Sequence, residues 1–432
     1  MSEHCASQID KLIEADRVHR DVYTAPGIFD LEMARIFGRS WIWIGHASQV
    51  ASIGDFVTTR IGRQPVIMVR HGDGQIKVLI NRCRHRGVRL CALDRGNTKQ
   101  FRCPYHGWTY RTDGTLLTEP LRDVFAKDFD LDEERMGLTK VARVDSYRGF
   151  VFANLTPGGA DLMPNLGPMK AGIDDICDRA PEGEIAFTGG GFKQQFDANW
   201  KFWVENMIDL DHPRFAHVAA SSAARGMEPG SDYVTARAAN RVLNAFGASS
   251  EFWNKTGVWA NGDGHGYMGS LAPGAEPDGD IYLRYKAALE EKHGPERAQE
   301  ILNVSRHNNL LYPNFNFQTS FQHVKIVDPI TVDHSEVRIF AFQMRGAPEE
   351  MNRDAIVYLN TVQSPASIIQ SDDFDIYERQ QQGLTAQGSD WVYFARGAEG
   401  DVAEDDGGFR AVGTSELPMR KQFQAWRALM TE

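Results

Sequence analysis

The sequence predicts an α+β protein with a small all-β domain set into it. Three observations carry this expectation. From about Trp41 to residue 156, short β-type runs follow one another with tight turns between them. Beyond that point strands and helices are segregated along the chain rather than strictly alternating. The chain has 432 residues, 42% hydrophobic and 24% charged, enough for two or three domains with a substantial core.

The elements read as follows. The first 40 residues are expected to be helical, over QIDKLIEADRV and FDLEMARIFGRSW. Strands follow at DFVTTRIG, QPVIMVRH, QIKVLINR, KQFRCPYHGWTY, LTKVARV and GFVFANL, with turns at His71-Gly72-Asp73-Gly74 and Thr112-Asp113-Gly114. The breaker cluster Thr156-Pro157-Gly158-Gly159 closes this β-rich stretch. Segment 165–178 reads as helix, EIAFTGGGFKQQFDA as strand, and a helix starts at Asn199 before a loop-rich middle. HVKIVDPITV and EVRIFAFQM are strand-like, 349–371 is helical, and LPMRKQFQAWRALM is an amphipathic helix. The acidic run EGDVAEDD at 399–406 is expected to be an exposed loop.

A net charge of -11 argues against a nucleic-acid partner. No stretch approaches the roughly 18 apolar residues of a membrane span. The N-terminus lacks the apolar core of a signal peptide. Five cysteines are too few for a disulfide scaffold, so a cytoplasmic location is expected, where clustered cysteines indicate metal or catalysis.

Cys83-x-His85 is followed, after 17 residues, by Cys103-x-x-His106. Each pair sits after a strand, so a β scaffold presents two fingers to one centre. Zinc sites more often use two cysteines per knuckle. One Cys and one His per finger fit a Rieske [2Fe–2S] centre, in which two histidines replace two cysteines on one iron. Cys91, between the fingers, reads as a buried thiol. Residues 81–111 also hold eight Arg or Lys against the single acid Asp94. Such a patch either steers an acidic partner or pairs with the protein's own carboxylates.

A second constellation lies in NWKFWVENMIDLDHPRFAH. His212 and His217 are five apart, about 140° round a regular helix, and would not share a metal there. Pro213 is expected to break the helix, biasing His212 from helical angles and swinging His217 round. Two histidines with one carboxylate and open positions form the facial triad of non-haem iron oxygenases. Asp209, Asp211, Asp372, Asp373 and Asp375 are candidate carboxylates.

Together these features resemble the catalytic α subunit of Rieske non-haem iron aromatic-ring-hydroxylating oxygenases, over nearly the whole chain. The text CRHRG at 83–87, YHGW at 105–108 and VARVDSYRGF at 141–150 carries the likeness, as does Glu205-Asn206…Asp209-x-x-His212-x(4)-His217. The resemblance implies a Rieske domain at 40–156 and an α+β catalytic domain from 1–39 and 157–432, with an antiparallel sheet flanked by helices. It implies that Cys83 and Cys103 hold one cluster iron and His85 and His106 the other. His212, His217 and Asp373 then hold mononuclear Fe(II); SPASIIQSDD picks Asp373 over Asp372 by its spacing from Pro365. Asp209 is implied to carry electrons to that iron from His106 of a neighbouring subunit. Asn206, His307, Asn309 and Gln363 resemble substrate-pocket positions, with Gln363 favouring a substrate that bears a polar group. Two departures touch the site: Pro213 follows the first histidine, and Asn206 to Asp209 is a residue shorter than in the naphthalene-type branch.

The implied reaction is cis-dihydroxylation of an aromatic substrate by O2. NADH would supply electrons through a separate reductase or ferredoxin, since the chain has no G-x-G-x-x-G fingerprint and no flavin motif. The C-terminal helix resembles that of α subunits with a small β subunit, and a homotrimer or α3β3 assembly is implied. Monooxygenation is the alternative within the family. A Rieske electron carrier or a zinc protein is the alternative outside it; colour separates these, because a zinc protein is colourless.

Overall fold

The protein's computed structural model describes residues 6–126, 129–187, 190–225, 245–269, 279–303, 306–319, 321–367 and 369–432. Two compact units emerge, one of residues 37–165 and one of 1–36 with 166–432.

The smaller unit is built from three antiparallel sheets. Strands Ile76–Ile80, Gln64–Arg70, Asp55–Ile61 and Arg95–Asn97 pair in that order. Arg143–Tyr147, Phe150–Asn154 and Ile42–His46 form the second sheet, and Gln100–Arg102, Thr109–Arg111 and Leu116–Thr118 the third. The alternation in QPVIMVR places Val66, Ile67, Met68 and Val69 all inside, as in a strand covered on both faces. The stretch KQFRCPYHGWTY is two strands rather than one, because the Cys103–Trp108 loop interrupts the pairing. LTKVARV becomes regular only from Arg143.

The larger unit is organised by an antiparallel sheet of nine strands. From one edge these are Gly191–Phe196, His334–Ala341, His323–Thr331, Phe315–Gln318 and Asn308–Leu311, then Gly266–Met268, Val258–Asn261, Gly408–Ala411 and Val402–Ala403. Helix Trp200–Asn206 packs on strand His323–Thr331. Its start is fixed by Asn199, whose side-chain oxygen accepts from Lys201 N at 3.1 Å. Trp200, Trp203, Trp259 and Trp426 are fully buried and supply much of the core. Beneath them lies the pair Lys201–Glu32, at 2.6 Å; Glu32 also accepts from the Trp200 and Trp426 indoles. A buried carboxylate so fully partnered is a structural anchor.

Three local expectations are corrected. The first helix ends at Asp10, and Arg17–His19 is a strand paired with Trp391–Tyr393, a long-range ladder that local pattern does not show. Segment 349–371 is not one helix. It runs as α-helix to Tyr358 and as a wider π turn over Leu359–Gln363, and stops at Ser364, which is extended (φ -79°, ψ 160°) ahead of Pro365. Helix restarts at Gln370, whose N–H donates to Ser367 Oγ at 3.1 Å, and continues to Thr385. Finally, Pro213 opens a helix instead of breaking one. His212 has helical angles (φ -59°, ψ -36°), and Pro213 is the first residue of Pro213–Ala216, where its missing N–H costs nothing. The breaks fall before His212, over residues 207–211, and at His217 (φ -104°, ψ 32°).

Candidate metal centres

In the smaller unit the two fingers are built alike. Cys83 N donates to Val88 O (2.8 Å) and Gly87 N to Cys83 O (3.0 Å); Cys103 N donates to Trp108 O (2.7 Å) and Gly107 N to Cys103 O (3.1 Å). Each loop turns through a left-handed glycine, Gly87 (φ 76°) and Gly107 (φ 73°), where a side chain would be strained. Both cysteines are buried, at 2% and 3% exposure, whereas His85 is exposed and His106 half-buried. The imidazoles meet edge to face, with centroids 4.7 Å apart, and His85 stacks on Trp108 at 5.0 Å. Two inner thiols and two outer imidazoles are the donor set of a Rieske cluster, so the residues present fit that group.

Tyr110, fully buried, lies with its hydroxyl 3.3 Å from Cys83 Sγ and accepts from Arg84 N at 3.1 Å. Since the Arg84 N–H occupies a lone pair, the hydroxyl proton is free to point at the sulfur. Cys91 is held apart: Asn81 Oδ1 accepts from its N–H and Asn81 Nδ2 donates to its carbonyl. None of Arg82, Arg84, Arg86, Arg89, Arg95, Lys99, Arg102 and Arg111 forms an ion pair with a carboxylate among the described residues. Arg84 instead donates to Gly137 O and Thr139 Oγ1, and Arg86 lies over Tyr105. Among the described residues the patch is therefore not neutralised by ion pairs.

In the larger unit, ligand atoms of His212, His217 and Asp373 lie within 4.8 Å of one another. His217 Nε2 is 3.3 Å and His212 Nε2 3.6 Å from Asp373 Oδ1. The two breaks described above bring the imidazoles together, centroids 5.5 Å apart. Asn206 Nδ2 lies 3.1 Å from His212 Nε2 and 3.2 Å from Asp373 Oδ1, so its N–H groups donate to both and gather them. Asp209 Oδ1 accepts from the backbone N–H of Asp211 (2.7 Å) and of His212 (3.3 Å); its Oδ2 stands 3.9 Å from His212 Nδ1, a charge contact. Burial works against ionisation of Asp209, but His212 and the Asp211 N–H outweigh it and hold its pKa at about 2. Burial likewise opposes ionisation of Asp373, yet His217, His212 and Lys325 keep its carboxyl below the usual range. Two imidazoles and one ionised carboxylate on one side of the site suit a divalent iron.

The remaining pocket residues divide. Gln363 is buried, ends the π turn, and its carbonyl accepts from Gln194 Nε2 at 2.6 Å. Ala220, Tyr358, Val362 and Ile369, with Phe246 and Phe321, form an apolar cluster, and the Phe246 ring is 5.1 Å from that of His217. His307 and Asn309, by contrast, are not brought to the candidate ligands. Asn309 faces the other side of the sheet, where its amide closes on Gly172 and donates to Thr319 Oγ1; His307 shares that side, under the charge of Arg179. Alternation along a strand puts the neighbour on the opposite face. That neighbour, Asn308, donates to Met207 O at 2.5 Å, directly after Asn206.

Asp372, a candidate carboxylate in the sequence, and Lys325, which carried no signal there, also stand near the ligands. Asp372 Oδ2 lies 3.3 Å from His217 Nδ1. Lys325, buried in the strand HVKIVDPITV, reaches Met207 Sδ at 3.8 Å and forms no ion pair among the described residues, unlike the buried cations Lys201 and Arg338, which pair with Glu32 and Asp328. Burial lowers its pKa to about 8 against the opposing charge of Asp373.

Next to Asn206, Glu205 is buried and accepts from Tyr23 OH at 2.8 Å. Burial raises its pKa from 4.5 to about 8, despite that hydrogen bond and Lys201. The native state thus keeps a proton that the unfolded chain releases above pH 4.5. This group's contribution to stability falls as pH rises from 4.5 to about 8. Glu205→Gln should therefore gain on the wild type by up to about 1.4 kcal/mol per pH unit across that window. Denaturant unfolding at a series of pH values measures the gap, which should level off above the window.

A family model described as "Rieske [2Fe-2S] domain" matches residues 40–129, and one described as "Ring hydroxylating alpha subunit (catalytic domain)" matches 183–432. The chain is similar to the 2-halobenzoate 1,2-dioxygenase large subunit of Burkholderia cepacia, 31% identical over 416 residues, covering 95% of this chain and 86% of that protein. It is 31% identical over 415 residues to the toluate 1,2-dioxygenase α subunit of Pseudomonas putida, covering 94% and 88%. A crystal structure of a naphthalene 1,2-dioxygenase variant bound to phenanthrene superposes with a TM-score of 0.82 at 25% identity, covering 98% of this chain and 94% of that one.

Proposed function

This chain belongs to the ring-hydroxylating oxygenase α subunits, and from that membership we propose that it cis-dihydroxylates an aromatic ring with O2 as the terminal component of an NADH-driven system. The observation that carries the reading is the meeting of His212, His217 and Asp373 within 4.8 Å in a chain that also presents two matched Cys/His fingers. Cys83, Cys103, His85 and His106 would hold the [2Fe–2S] cluster, and His212, His217 and Asp373 the mononuclear iron. Iron in those sites supplies electron storage at the cluster and O2 binding and activation at the mononuclear centre.

The chain's own side chains do the rest. Asp209 sets the position and charge of His212 from its Nδ1 side, and Asn206 donates to Asp373 Oδ1. Phe246, Val362, Tyr358 and Ile369 offer an apolar wall that holds a ring and excludes water. His85 and His106 would present the outer edge of the cluster for electron entry, and the arginines around them, without ion pairs among the described residues, suit an acidic ferredoxin or flavin reductase. A small β subunit and a trimeric assembly, α3 or α3β3, complete the proposal, with His106 of a neighbouring copy delivering electrons through Asp209. No helix among the described residues is long and apolar enough to cross a membrane; a cytoplasmic enzyme is the location we assign.

The Tyr110 hydroxyl yields a prediction at the cluster. A hydrogen bond to a ligand sulfur favours the more negative, reduced cluster, so Tyr110→Phe should lower the reduction potential with iron content unchanged. A spectroscopic redox titration measures it.

For the substrate we assign an aromatic ring bearing a polar or ionised group. The names of the halobenzoate and toluate relatives support this, as does the burial of the polar residue Gln363. Turnover of a panel of aromatic acids, amines and hydrocarbons, with product identification, tests it. A cis-diol from an acid or amine is expected. Turnover confined to bare hydrocarbons, or a monohydroxylated product, would contradict it.

A further inference from the structure

Asp372 and Asp373 are consecutive on helix Gln370–Thr385, about 100° apart round its axis. The structure turns this adjacency onto a single imidazole. Asp373 Oδ1 lies 3.3 Å from His217 Nε2, and Asp372 Oδ2 lies 3.3 Å from His217 Nδ1. Asp372 thus stands on the far edge of the ring from the point where the three candidate ligand atoms converge. It cannot join that group without losing its contact with His217.

We infer that Asp372 is a positioning residue: its carboxylate holds the Nδ1–H of His217 and so commits Nε2, as a lone pair, to the metal. An ionised carboxylate only accepts hydrogen bonds, so it selects the tautomer with hydrogen on Nδ1. The same arrangement stands behind the other histidine, where Asp209 faces His212 Nδ1 at 3.9 Å. Apart from the two carboxylates, the His217 ring meets Phe246 and the edge of His212. Among the described residues His217 is the ion-pair partner of Asp372, whose side chain is 31% exposed, against 8% for Asp373. Asp372 thus stands at the rim of the site, while Asp373 is inside with the donors.

This inference rests on the assignment of His212, His217 and Asp373 as metal ligands, and the test separates the two. The full-length protein, with its cluster retained and its mononuclear site emptied by mild chelation, is titrated with Co2+ and followed by calorimetry and the cobalt visible spectrum. Asp372→Ala should weaken Co2+ binding by about 10- to 100-fold, as loss of such partners does elsewhere. Stoichiometry and cluster absorption should be unchanged. Asp372→Asn keeps an acceptor oxygen without the charge and should recover part of the loss. It also serves in place of Asp372→Ala if the latter does not fold. Asp373→Ala and His217→Ala should lose the site altogether. Wild-type affinity in Asp372→Ala, with loss in Asp373→Ala, would overturn the positioning role alone. Wild-type affinity in Asp373→Ala and His212→Ala would overturn the ligand assignment itself. Complete loss in Asp372→Ala with retention in Asp373→Ala would make Asp372 the ligand and also end the inference.

Discussion

His212→Ala is expected to take turnover to the detection limit while the visible absorption of the cluster survives. The two centres belong to separate compact units, and each is built from its own hydrogen bonds. His212 is one of the three donors that converge within 4.8 Å among the described residues, and an open three-ligand site that loses one holds its metal poorly. Asp373→Ala should behave the same way. Cys103→Ala should do the reverse and bleach the cluster, because its buried thiol is one of two inner donors. Absorption spectra, iron content and turnover of the three variants give the result directly.

Asp209→Ala should be as severe in turnover but for a different reason: both centres stay loaded while electrons stop passing between them. The carboxylate is poised for this. It is ionised, one oxygen is committed to the backbone of Asp211 and His212, and the other faces His212 Nδ1. Asp209→Asn preserves an acceptor for the two backbone groups but not the charge, and it should also fail. Single turnover of pre-reduced protein with substrate and O2 separates this from loss of metal. Cluster reoxidation at the wild-type rate in Asp209→Ala would exclude the relay.

What was legible in the chain and what was not follows from the physics of each feature. The cluster fingers could be read because each is a short loop whose ligands, turn glycine and hydrogen bonds lie within six residues, Cys83–Val88 and Cys103–Trp108. His212 and His217 could be paired, but the reason given for their meeting was wrong. Pro213 was read as a breaker, whereas at the first position of a helix it is a starter, and the breaks lie on either side. Asn309 lies on the face of the sheet opposite Asn308, whose amide meets Met207 O. Asn309 and Asn308 are adjacent and chemically identical, and a one-residue step in a strand reverses the face, so composition could not choose between them. By pattern Lys325 is an ordinary strand residue; the pairing of the sheet shows a buried cation with no carboxylate paired to it among the described residues. The strand Arg17–His19 depends on a partner more than 370 residues away, beyond the reach of any local pattern. Part of the loop-rich middle, residues 226–244 and 270–278, lies outside the described residues.

The central claim is that one chain carries a cluster held by Cys83, His85, Cys103 and His106 and a separate iron held by His212, His217 and Asp373. Metal and acid-labile sulfide analysis of the purified protein, before and after mild chelation, tests it most directly. The account predicts a red-brown protein in which iron exceeds labile sulfide, with chelation removing only the excess and leaving the cluster spectrum. A colourless protein with stoichiometric zinc and no labile sulfide would contradict it.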